Sequence, residues 1–187
     1  ANNNLTIPVS TPFTLTGSAT DPDNDPLTYC WEQWDFSGTC NTTWNAGATA
    51  APGNSVPLFK SRIPKTSGSR TFPDIAVILA GYPANPPSAM GGLKGETLSP
   101  VSRAMKFKLT VRDNKAAGGG VASSGAGGCQ TATVFTVNVG GTGPFLVTAP
   151  NGGENWAGGS TQTITWNVAG TNTAPISCAN VKISLST

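Results

Sequence analysis

The chain has 187 residues, of which only 11% are charged, and a formal net charge of +2. That basic excess is too small to mark a nucleic-acid or anionic-membrane partner, and no stretch approaches the roughly 20 apolar residues of a membrane span. With no histidine, the chain lacks the usual general base, the Ser-His and Cys-His nucleophile pairs and every His-ligated zinc site, while a carboxylate-only enzyme or a Ser-Lys pair stays open.

The elements follow in chain order. The start, "ANNNLTIPVS", has neither the basic head nor the apolar core of a signal peptide, so it reads as part of a mature protein. Leu5, Ile7 and Val9 alternate, as do Phe13 and Leu15, the period of half-buried strands. "DPDNDP" breaks the pattern with two prolines, and places Asp21, Asp23 and Asp25 at every second position. "LTYCWEQWD" predicts a strand with Leu27, Tyr29, Trp31 and Gln33 on one face and Cys30, Glu32 and Trp34 on the other.

Residues 36–100 are rich in Gly, Pro, Ser and Asn and read as a long decorated insertion. Inside it, "FPDIAVILAGY" predicts a short helix, with Pro73 at its first position, Asp74 at the positive end of its dipole and Gly81 as its stop. The basic residues Lys60, Arg62, Lys65 and Arg70 form no dense run and read as solvated loop charges. The strand pattern resumes in "AMKFKLTVRDN" and closes in "QTATVFTVNVGG". The Gly-rich stretch ending at residue 144 is a linker signal. Beyond it, Ile164, Trp166 and Val168 alternate, as do Val181, Ile183 and Leu185. Residues 145–187 thus give about three strands, too few for a self-sufficient core, and predict a second β-module that is truncated or completed by residues or chains not given. Trp31 and Trp166 read as core.

The expected architecture is all-β: an immunoglobulin-like sandwich over 1–140 with its insertion at about 36–100, a linker at 141–144, and a partial second module over 145–187. Four cysteines stand at 30, 40, 129 and 178 with no C-x-x-C pair. An even count in a charge-poor chain suggests an oxidising compartment. Cys30–Cys40 is one pairing, Cys40–Cys129 another, and a buried free Cys30 thiol is the alternative.

"DPDNDPLTYCWEQWD" with the later "FKLTVRDN" resembles the polycystic-kidney-disease (PKD) type and cadherin-like sandwich modules of secreted bacterial proteins. Together with "SRAMKFKLTVRDN" and "GPFLVTAPNGGENWAGGSTQTITWNV", the order of motifs is similar to the region after the catalytic domain of secreted reprolysin-like zinc metalloproteases. The H-E-x-x-H motif of that family is absent. The resemblance therefore implies a non-catalytic tail, secreted or displayed on the surface, with no zinc of its own. Its partner would be the rest of the parent polypeptide, and beyond that a protein or polysaccharide.

Asp21, Asp23 and Asp25 have calcium-loop spacing, but Pro26 stands where an EF-hand needs Gly and a strand follows. The resemblance implies another calcium geometry, in which the acidic loop meets Asp113 at a later strand end. The alternative is a turn in which these side chains bond their own backbone. Trp34 and Trp44 flank a Gly/Thr/Asn-rich loop and could stack on sugar rings, the basis for an alternative reading as a carbohydrate-binding module.

Overall fold

The computed structural model describes residues 4–35, 57–79, 96–115, 130–131 and 134–183. The fold is built from strands, with one helix of five residues among those described. The strands are β1 (Asn4–Ile7), β2 (Phe13–Thr16), β3 (Thr28–Gln33), β4 (Ser69–Phe72), β5 (Arg103–Arg112), β6 (Gln130–Thr131), β7 (Phe135–Val139), β8 (Leu146–Ala149) and β9 (Thr165–Asn167), and helix α1 spans Ile75–Leu79.

The larger sheet has the order β1-β7-β5-β3, with β6 also on β5. β1 runs parallel to β7, and β5 is antiparallel to β3, β6 and β7. β2 and β4 form a second, antiparallel sheet. Strand β5 organises the core. Its residues alternate strictly at the start, burying Arg103, Met105, Phe107, Leu109 and Val111 and turning Ala104 and Lys106 outward. That is the period-two pattern of a strand with one face on a core.

The two sheets meet through aromatic rings. Phe13 of β2 stacks on Phe72 of β4 with centroids 5.2 Å apart, and both rings approach Phe107 of β5 edge-on. Phe72 and Phe107 are wholly buried, each contributing about 1.5–3 kcal/mol of transfer free energy.

Several residues of 36–100 belong to this core. β4 completes the second sheet, and Leu58, Phe59 and Leu98 join the same buried cluster. The described parts of this segment therefore help to build the core of the β fold. Helix α1 begins two residues later than the sequence suggests. Pro73 precedes it, and Asp74 caps it, its Oδ1 accepting the Ala76 N–H at 3.1 Å while its carbonyl accepts from Val77 and Ile78. Gly81 lies outside the described residues.

Residues 140 and 142, just after β7, are bonded to the end of β1 and the residues that follow it. Ile7 O accepts from Gly140 N at 2.8 Å, and Thr142 O accepts from Val9 N at 3.0 Å. Gly143 has φ +105°, and a Cβ there would lie 2.4 Å from Pro8 Cβ, so only glycine fits. Beyond it, β8 and β9 form a two-stranded antiparallel sheet with a bulge between Val147 and Ala149. Residues 181–183 are not a strand, contrary to their alternation, and have no ladder partner among the described residues.

Candidate functional site

The acidic loop lies between β2 and β3. Asp21 Oδ1 accepts the backbone N–H groups of Asp23 at 2.9 Å and Asp25 at 3.0 Å, while Asn24 takes the left-handed conformation with φ +59°. This is an Asx turn, a carboxylate replacing a backbone acceptor. Asp25 pairs with the Lys115 ammonium at 3.1 Å, and Asp113 Oδ1 accepts its own chain's Lys115 N–H. Asn114 ties the two loops, donating to Pro26 O and accepting from the Thr28 hydroxyl. The four aspartates thus lie in two tied loops, and the Lys115 ammonium pairs with one of them, Asp25. The Asp25 carboxylate holds the exposed Lys115 ammonium above its ordinary pKa. Among the described residues, no group of three or more acidic or cysteine side chains is arranged to hold a metal ion.

Trp34 is 56% exposed, on the outer side of the larger sheet. The Lys108 ammonium stands 3.7 Å from its ring centroid, a cation–π contact that covers one face. Trp44 and Cys40 lie outside the described residues. Cys30 is a free, half-buried thiol whose Sγ donates to Arg62 O at 3.3 Å. Burial, reinforced by Glu32, raises its pKa.

The densest polar site is one that sequence reading missed. Glu96 is completely buried. Its Oε1 accepts from Arg62 Nε and Arg70 Nη2, both at 3.0 Å, and its Oε2 from the Asp74 N–H at 2.7 Å. Arg70 also donates to the carbonyls of Trp31 and Lys60. Burial lowers the Arg70 pKa, with Glu96 opposing the shift. These two arginines are thus not solvated loop charges. They hold β4, the start of α1 and the 57–65 segment around one carboxylate. Arg62 and Glu96 are separated by 34 positions, so no local motif marks them.

Above this ion cluster is a cleft of about 170 Å³ between β3, residues 62–67 and the start of α1, lined by Tyr29, Cys30, Arg62, Ile63, Lys65 and Arg70 among others. A second, mainly apolar cleft of about 310 Å³ lies on the β8–β9 unit, lined by Phe145, Val147, Trp156, Ile164, Trp166 and Ile183 among others. Trp166 is 40% exposed, not core, because no further described layer covers its face.

Comparisons of the chain with protein families, with curated proteins and with solved structures return no match.

Proposed function

We propose that this chain is a non-catalytic accessory region of a secreted or surface bacterial protein, a zinc metalloprotease by its motif order, serving as spacer, stabiliser or binding module. Its first unit is read as an immunoglobulin-like, PKD-type sandwich. The first strand runs parallel to the last in the larger sheet, and two further strands pair on the facing sheet, a connectivity in keeping with that architecture.

The observation that carries the reading is the join between the units. The chain leaves β7 through a linker hydrogen-bonded back to β1, which suits a connector that fixes what it joins. The carboxylates at 21, 25, 35 and 96 also serve structure, accepting backbone N–H groups or pairing with cations.

The test is to purify the chain and assay it on a denatured protein substrate. No turnover is expected. Proteolysis that persists after chelation and repurification would overturn the reading. Deleting this region from a parent protease should shorten its active lifetime at elevated temperature while leaving kcat unchanged.

The carbohydrate-binding alternative rests on exposed Trp34. Retention on insoluble polysaccharide that is lost in both Trp34→Ala and Trp44→Ala would favour it. Calcium is a separate proposal on Asp21, Asp23, Asp25 and Asp113. The Asx turn and the Lys115 contact favour a turn that stands without metal, so the melting temperature should be equal in millimolar calcium and in excess chelator. A rise with calcium that Asp23→Asn abolishes would establish the ion instead.

A further inference from the structure

The cleft above Glu96 has donors left over. Arg62 directs Nε and Nη2 at the same Glu96 oxygen, each 3.0 Å away. Nη2 is itself buried against that carboxylate, which leaves Nη1, with no hydrogen-bond acceptor among the described residues, as the donor for a ligand. Lys65 and Tyr29 also line the cleft, and neither side chain has a hydrogen-bond or ion-pair partner among the described residues. Two guanidinium groups share one buried carboxylate, and with Lys65 and Asp74 also on the lining the charges sum to a positive excess of one in a partly desolvated place. Such charge favours an anion, and a carboxylate forms charge-assisted hydrogen bonds to a guanidinium N–H or an ammonium.

Shape and backbone narrow the ligand. The 170 Å³ cleft is smaller than the roughly 300 Å³ at which ordinary ligand pockets begin, so it admits one compact ring. The edge of β3 is already occupied there: Tyr29 N and O both bond Lys65, and Trp31 O accepts from Arg70. An extended peptide therefore finds no free ladder to join. The remaining donors come from side chains, including the Ser67 hydroxyl at the margin, and suit a ring that carries hydroxyls and one carboxylate.

We infer that this cleft binds a uronic-acid residue of an acidic saccharide, its carboxylate on Arg62 and Lys65 and its hydroxyls on Tyr29 and Ser67. The site is distinct from Trp34, and it goes beyond the accessory-region reading without depending on it.

The experiment is calorimetric titration of the full chain with trigalacturonate, with the neutral galactose trimer, and with a short peptide as free acid and as amide. The uronate trimer should bind, more weakly as salt rises, and the neutral trimer should not. Arg62→Lys, which keeps the charge but loses Nη1, should weaken binding about tenfold. Because that change touches the Glu96 cluster, a second variant is needed. Ile63 is 87% exposed at the rim, so Ile63→Asp should leave the melting temperature unchanged and weaken the uronate at least tenfold by repulsion. Absence of uronate binding, equal binding of the neutral trimer, equal affinity in Ile63→Asp, or preference for the peptide acid would each overturn the assignment.

Discussion

At the scale of single residues, buried charge decides most. Glu96 is the only described counter-charge for Arg62 and Arg70. Glu96→Ala leaves two guanidinium groups without it and should cost about 3–5 kcal/mol, read as a lower urea midpoint with an unchanged m-value. Asp35 makes a different prediction. Its carboxylate accepts the Lys106 N–H and a Gln33 amide hydrogen, yet burial raises its pKa above the ordinary Asp range, outweighing those bonds and the charge of Arg103. The folded state therefore holds this proton to higher pH than the unfolded chain does. Stability should fall as pH climbs from the ordinary Asp value through the raised one. Asp35→Asn should remove that component, visible as the difference between the two proteins' melting temperatures across mildly acidic pH.

At the scale of elements, close backbone approach sets the constraints. Gly17 N donates to Gly68 O at 3.0 Å beyond the end of the β2–β4 ladder, and the Trp31 indole donates to the same carbonyl. A Cβ on Gly68 would stand 2.0 Å from Gly17 O. Gly68→Ala should therefore part these strands and lower stability by about 3 kcal/mol, measured by chemical denaturation. Strands β2 and β5 were legible in the sequence because their apolar residues alternate over enough positions to fix a face. β4 was not, because its four residues, Ser69–Phe72, offer one large apolar side chain, and its partner lies more than fifty residues away. The same distance hid the Glu96 cluster, whose members come from separate segments. The acidic loop was legible as a turn, but the Lys115 contact depends on how the β5 end folds beside it. Residues 181–183 alternate like a strand, and alternation specifies a face without supplying a neighbour to pair with.

For the whole molecule, stability should be uneven. The first unit has one continuous buried cluster drawn from six strands and the 57–59 and 96–99 segments. The β8–β9 unit has two short strands and a largely uncovered apolar face, which alone is marginal in water. Hydrogen exchange should show slow amides through β5 and β7 and fast ones in β8 and β9, because local opening follows local burial. Uniform protection across both units would mean that the second face is covered in solution. The parallel β1–β7 pairing has a mechanical consequence. A pull entering at Asn4 and leaving at Gly140 draws the two strands past one another along their length, since they point the same way. Their cross-links then carry the load side by side and must fail together rather than in sequence. Under traction, this unit should act as a stiff coupling, yielding after the β8–β9 hairpin has opened.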